Sequence, residues 1–252
     1  MAVKRYSDYD RFAQIYNKHW GNSFIFIVLP VFDQLVLPYI PEKARILDLC
    51  CGTGQLVQIL ATRDYQLTGV DGSEEMINFA RQNAPTAEFI VGDARSFKLP
   101  EEYHTVISTF DSLNHIMTIE ELTSVFRNVH FSLKQGGLFL FDLNMEEGYK
   151  ICWNDAYNIV EEDHVCVVRT NYDFIEKTAR FDTTIFYWQD GWQRSDIPLT
   201  QKCYSKTEIE SALENAGFIE IHSYAYDEQL SLVELTEKSE RAFFICQKEG
   251  EL

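Results

Sequence analysis

The segment Ile46-Leu-Asp-Leu-Cys-Cys-Gly-Thr-Gly54 brings a carboxylate, Asp48, within a few residues of a glycine turn. Arg45–Leu49 reads as a short buried strand and 55–62 as a helix, so the turn lies between them. Glycines there let a ligand approach the backbone closely. Asp71 follows a second short strand, 66–70, and can accept both hydroxyls of a ribose. Gly92-Asp93-Ala94 follows a third strand, Glu88–Val91, where a carboxylate can receive an adenine amino group beside a backbone N–H for a ring nitrogen. Three consecutive strand ends carrying Asp48, Asp71 and Asp93 describe a site for an adenosine with a positively charged tail. Asp71 has a second reading as a helix N-cap, a role that Ser73 could share.

The elements that position these residues alternate. A helix over Ser7–His19 puts Phe12, Ile15 and Tyr16 on one face, and a second, apolar helix over about 24–37 bends at Pro30. Ser73 caps a helix to about Asn83, with Glu74 and Glu75 in its first turn. A fourth strand spans 105–109, a helix 119–133 closes at Gly136-Gly137, and a fifth strand spans 138–141. Strands and helices at this spacing mean βαβ units and a parallel sheet covered on both faces. The pattern breaks near residue 145. Residues 164–204 are β-prone, and Asp190-Gly191 marks a hairpin between 183–188 and 192–203. A helix returns at 205–216 with Gly217 as its stop, followed by two strands, 218–224 and 241–247, expected to pair antiparallel.

Composition narrows the partners. The 252 residues are 46% hydrophobic and 24% charged, ordinary for a globular chain with a buried core. The formal net charge of −17, with scattered basic residues, argues against nucleic acid and against an anionic membrane surface. The six cysteines include no CxxC pair and no zinc-like spacing, so reduced thiols in a cytoplasmic protein are expected. The apolar run 24–29 is too short to span a bilayer and lacks a following cleavage site.

Over nearly the whole chain the sequence resembles the class I S-adenosylmethionine-dependent methyltransferases. The glycine turn corresponds to Asp48-Leu-Cys-Cys-Gly-Thr-Gly54, the second strand end to Val70-Asp71 with Gly72-Ser-Glu-Glu-Met-Ile77, the adenine motif to Val91-Gly-Asp-Ala94, and the late helix and strand to Glu214-Asn-Ala-Gly-Phe218. Tyr9-Asp-Arg-Phe-Ala13 with Tyr16, and Phe110-Asp-Ser-Leu-Asn-His115, resemble a bacterial small-molecule subgroup with a β insertion after strand five. The resemblance implies an α/β, Rossmann-like three-layer sandwich. Its mostly parallel seven-stranded sheet has the order 3-2-1-4-5-7-6, with strand seven antiparallel. Residues 1–145 and 205–252 then form the core, with 1–40 as a lid, and 146–204 form an antiparallel insertion that covers the acceptor or makes a dimer contact.

The implied cofactor is S-adenosyl-L-methionine, leaving as S-adenosyl-L-homocysteine. The residues carried over to hold it are Asp48, Cys50, Gly52, Thr53, Gly54, Asp71, Gly72, Met76, Asp93, Ala94, Phe110, Tyr16 and Trp20. Cys50 departs from the family, which usually has glycine there, and would contribute its carbonyl near the methionine amino group. Met76 could pack on the adenine or in the core, and Tyr9, Tyr16 and Trp20 could form a lid or plain packing. A dinucleotide fold is disfavoured because Val57, not a third glycine, stands three residues beyond Gly54, and no phosphate loop occurs.

Methyl transfer from a sulfonium is an in-line displacement that needs no metal; a general base matters only where the acceptor must lose a proton. The loops after strands four and five offer Asp111, Asn114, His115, Asp142 and Asn144 as acceptor-side residues. His115 is the candidate base, its ordinary pKa lying near neutrality, or else a pocket-lining residue. Asp142 and Asn144 could instead cap the turn leaving strand five. Tyr9 joins the acceptor side, and the insertion offers Tyr172 and Trp188 as cavity wall or as core. The Asn-Pro-Pro-Tyr motif of amide and nucleobase methyltransferases is missing after strand four. The expected function is methyl transfer to a small molecule by a monomer or homodimer. A non-catalytic cofactor-binding sensor and an aminopropyl transferase are the competing readings.

Overall fold

The computed structural model describes residues 7–188 and 190–250. The first six residues of the expected lid lie outside that range. Five parallel strands form one side of the main sheet: β1 (Arg45–Leu49), β2 (Gln66–Asp71), β3 (Glu88–Val91), β4 (Tyr103–Ser108) and β5 (Leu133–Asn144). β10 (Phe218–Tyr226), β11 (Leu232–Glu234) and β12 (Arg241–Lys248) complete it in the order β11-β10-β12-β5-β4-β1-β2-β3. β12 runs antiparallel to both β5 and β10. The sheet therefore has the expected order and antiparallel strand but eight strands, not seven. The extra strand exists because Asp227 accepts the N–H groups of Gln229 and Ser231, each at 2.9 Å, and turns the chain back along β10.

Two apolar cores sandwich the sheet. On one face, α5 (Ile119–Ser132) and α7 (Lys206–Ala216) bury Leu122, Val125, Phe126, Ile209 and Leu213 against Leu47, Leu49 and Phe139. On the other, α2 (Ile25–Leu35) and α3 (Gln55–Ala61) bury Val31, Phe32, Val57 and Leu60 against Ile46, Ile107 and Phe243. Each such side chain contributes about 1.5–3 kcal/mol by leaving water. α4 (Glu74–Asn83) starts where the Ser73 hydroxyl accepts the Met76 N–H, and α7 starts on a reciprocal Ser205–Glu208 box and ends at Gly217 (φ 98°).

The insertion is a separate four-stranded antiparallel sheet: β6 (Ala156–Val160), β7 (His164–Asp173), β8 (Thr178–Trp188) and β9 (Trp192–Lys202). α1 (Ser7–His19) packs between α4 and β9, burying Phe12, Ala13 and Ile15 with Met76, Ile185 and Leu199. β6 and the seven-residue α6 (Glu146–Cys152) were not expected, because β6 is a largely exposed edge strand without alternation and α6 has no side-chain cap. Gly136-Gly137 does not close α5. β5 begins directly at Leu133, and the glycines sit where its register against β4 shifts. A Cβ on Gly137 would stand 2.9 Å from the Lys134 carbonyl oxygen, so the irregularity requires glycine. Among the described residues, no helix is long and apolar enough to cross a membrane.

Candidate active site

The β1–α3 turn is wound through left-handed backbone at Cys50 (φ 61°), Gly52 (φ 53°) and Gly54 (φ 79°). Such a conformation costs an L side chain about 1–2 kcal/mol, which Cys50 bears and the glycines avoid. A Cβ on Gly52 would stand 3.3 Å from the Tyr16 ring, and one on Gly54 would stand 2.9 Å from the Ala80 methyl carbon. The Asp71 carboxylate stitches this turn to β2, since Gly52 N–H donates to Oδ2 and Ser73 N–H to Oδ1, each at 2.9 Å. Each oxygen retains acceptor capacity for a ligand hydroxyl. Because Ser73 itself caps α4, Asp71 is free of the N-cap role.

Burial, with Asp71 adding its charge, pushes the Asp48 carboxyl up to about 8; burial likewise raises Asp71 to about 6. A cavity of about 540 Å³ opens over this turn, and a smaller one beside it reaches Asp48, Cys50, Tyr16 and Phe110. Among the described residues, Arg241 is the sole lysine or arginine in the larger wall, and it is already held by two aspartates. Carboxylates without a free countercharge suit a cationic ligand with ribose hydroxyls.

Across the cavity, Phe110 (φ 63°) and Asp111 (φ 48°) are also left-handed. Asp142, at the end of β5, holds them: its Oδ1 accepts the Phe110 N–H at 2.6 Å and its Oδ2 the Asp111 N–H at 3.0 Å. Arg241 from β12 bonds Asp142 and also reaches Asp111 Oδ1 at 2.7 Å, closing the clamp. Asp142 thus caps the loop of a neighbouring strand rather than its own. Asn114 is fully buried, bonding the carbonyls of Lys202 (2.9 Å) and Asn144 (3.3 Å) and accepting the Asn144 N–H (2.9 Å), so it is a strut between β5 and β9. His115 lines the cavity, where Tyr9 Oη lies 2.7 Å from its Nε2 and the Thr200 carbonyl 2.8 Å from its Nδ1. Burial lowers its pKa, leaving the ring neutral near pH 7.

The larger cavity brings together Tyr9, Tyr16, Trp20, Cys50, Gly52, Asp71, Gly72, Met76, Ala94, Phe110, Asp111, His115 and Asn144. It does not reach Thr53, Gly54, Asp93, Asn114 or Asp142. Asp93 sits beside Ala94 with its carboxylate in the fork of Arg95, whose Nη2 is 2.6 Å away. Two of the insertion residues lie elsewhere. Tyr172 is buried, stacked on Tyr149 at 5.2 Å in a small core, and Trp188 is 55% exposed at the hairpin tip against Trp192. The rings facing the cavity are instead Phe181 and Trp153, joined by Thr200, Gln201 and Arg241. A signal for Gln201 existed: it continues the inward phase of Ile197 and Leu199 on β9, where a polar residue needs partners. Arg241 offered none, as its partner Asp111 lies 130 residues away.

A methyltransferase domain model matches residues 46–137, from β1 to the start of β5. The putative methyltransferase YqeM of Bacillus subtilis is 30% identical over 249 residues, covering 95% of this chain and 97% of that one. The chain belongs to the class I S-adenosylmethionine-dependent methyltransferase family. S-adenosylmethionine is the cofactor of that family, and the uncompensated carboxylates at the strand ends of this methyltransferase suit it. A crystal structure of an S-adenosylmethionine-dependent methyltransferase from Clostridium acetobutylicum superposes with a TM-score of 0.76 at 21% identity, covering 96% of this chain and 99% of that one, which establishes the shared fold. The dTDP-3-amino-3,4,6-trideoxy-alpha-D-glucopyranose N,N-dimethyltransferase of Streptomyces venezuelae is 30% identical over 147 residues, 58% of this chain and 62% of that one.

Proposed function

We propose that this methyltransferase moves a methyl group to a small-molecule acceptor that sheds a proton as it is methylated, with His115 as the general base. The observation that carries this reading is the His115 ring at the cavity wall, anchored through Nδ1 at 2.8 Å to the Thr200 carbonyl while Nε2 meets Tyr9 at 2.7 Å. When bound, S-adenosylmethionine supplies an electrophilic methyl group on a cationic sulfur. Asp71 would hold the ribose hydroxyls, Gly52 and Gly54 would allow the close backbone approach, and Met76 with Ala94 would border the adenine. Asp93 joins them on this reading through its strand end, once Arg95 yields or shares its carboxylate. Asp48, the Cys50 carbonyl and Thr53 belong to the methionine end.

Tyr16, Trp20 and Phe110 close over that end and exclude water, which keeps the electrophile for the acceptor. Asp111, Asn144 and Phe181 border the acceptor space, with Asp142 and Asn114 holding the loops that carry it. The insertion acts as the acceptor's cover through β8 and β9. A nitrogen nucleophile is favoured. An amine loses a proton on methylation, the carboxylate-rich wall tolerates its positive charge, and the S. venezuelae relative is named for an amino sugar. The test is turnover of labelled S-adenosylmethionine with a panel of small amines and alcohols. His115→Ala should lower kcat by roughly 10²–10⁴-fold with donor binding retained. Undiminished turnover would remove His115 as base.

A further inference from the structure

We propose that Gln201 is a positioning residue that holds His115 in the tautomer protonated at Nδ1, keeping Nε2 the unprotonated, proton-accepting nitrogen. The inference rests on the reading of His115 as the base. It begins with a carbonyl: Thr200 O can only accept, so the His115 Nδ1 at 2.8 Å carries the hydrogen. In the neutral ring, Nε2 is then the bare nitrogen, and the Tyr9 hydroxyl at 2.7 Å donates to it.

Gln201 makes this arrangement hard to reverse. Its amide is buried and every one of its contacts is oriented. The Nε2 amide nitrogen lies 2.6 Å from Asp111 Oδ2, and a carboxylate accepts only, so the nitrogen must face it. The other Asp111 oxygen is taken by Arg241 at 2.7 Å, which keeps Asp111 in place. The amide oxygen receives the Tyr149 hydroxyl at 2.8 Å and the Asn144 amide at 3.3 Å. Flipping Gln201 would set oxygen against the Asp111 carboxylate and nitrogen against a donor.

With one hydrogen on Asp111, the second amide hydrogen points at His115 Nε2, 3.1 Å away. A hydrogen on Nε2 would meet another donor there, so both the opposite tautomer and the imidazolium are disfavoured. At 3.1 Å this contact is looser than that of Tyr9, so Tyr9 is the main donor to the lone pair and an acceptor takes its place to reach Nε2. Among the described residues, the other groups facing His115 are Tyr9 from α1 and Asp111 from its own loop, with Arg241 of β12 behind Asp111. Burial of the ring works in the same direction as Gln201, and Asp111 opposes it. Both Thr200 and Gln201 belong to β9, so the insertion sets the state of the base as well as covering the acceptor.

The experiment reads the His115 ring in ¹⁵N-histidine-labelled protein by long-range ¹H–¹⁵N NMR, with His115→Gln assigning the signals and no acceptor present. The wild type should show protonated Nδ1 and bare Nε2 near neutral pH. Gln201→Glu replaces the donor with an acceptor, so the ring should become protonated at Nε2 and its titration should rise by about one pH unit or more. Gln201→Met, which keeps bulk without a donor, and Tyr149→Phe, which frees the amide to turn, should each give a smaller rise. They carry the test should a carboxylate beside Asp111 prevent folding. A wild-type ring protonated at Nε2, or a titration unmoved in the folded variants, would overturn the proposal. Loss of the base reading shows differently, as undiminished turnover in His115→Ala while the wild-type ring still carries its hydrogen on Nδ1.

Discussion

Buried carboxylates near the cavity perform two tasks that their partners distinguish. Asp142 is consumed by structure, with both oxygens on backbone N–H groups and Arg241 beside it. Asp71 spends one acceptor site per oxygen on backbone and keeps the rest for a ligand. Asp71→Ala should therefore weaken S-adenosylmethionine binding by about 1–3 kcal/mol in a calorimetric titration; an unchanged affinity would remove it from the site. Among the described residues Asp48 has no countercharge, and burial with the Asp71 charge raises it from 3.8 to about 8. The folded chain without cofactor then binds more protons than the unfolded chain between those two values, so this group lowers stability as pH rises through that window, with no further loss above it. A cationic ligand favours the ionised carboxylate, so cofactor affinity should strengthen over the upper part of the same window. Thermal melts with and without S-adenosylmethionine should show its stabilising shift growing from about pH 6 to 8, and Asp48→Asn should flatten that growth.

The strand-end turns after β1 and β2 line one part of the cavity, and β8 and β9 of the insertion line another. Gly54 packs α3 onto α4, so Gly54→Ala, which adds a methyl group at φ 79° and 2.9 Å from the Ala80 Cβ, should cost about 2–3 kcal/mol in urea unfolding. The strand-turn-helix at 45–61 was legible in the sequence because its determinants are local: an apolar run, glycines and a helical repeat. The same holds for Ser73 and for the box at Ser205. The proposed acceptor side was legible only as a list of loop residues. What decides their roles is pairing across the chain, such as Asn114 with Lys202 over 88 residues and Arg241 with Asp111 over 130, which no local pattern encodes. Aromatic content drew attention to Trp188 and Tyr172, yet strand phase and hairpin length decide which strand ring meets the cavity, and on β8 that ring is Phe181.

On the scale of the whole molecule, the cavity sits where three units meet: the carboxyl ends of β1, β2 and β4, the helix α1, and the insertion strands β8 and β9. α1 is held to the cofactor side by Asp10 on the Ser73 hydroxyl (2.6 Å) and by Asn17 on Gln55 and Asn83 (both 2.8 Å), and to the acceptor side by Tyr9 on His115. A ligand entering this space is enclosed by parts of the chain far apart in sequence. The central claim is methyl transfer from S-adenosylmethionine to a small acceptor, and mass spectrometry of single turnovers with methyl-labelled cofactor tests it most directly. The account predicts one labelled methyl group on a small amine for each S-adenosylhomocysteine formed. Tight cofactor binding with no label transferred to any member of an amine and alcohol panel would contradict it.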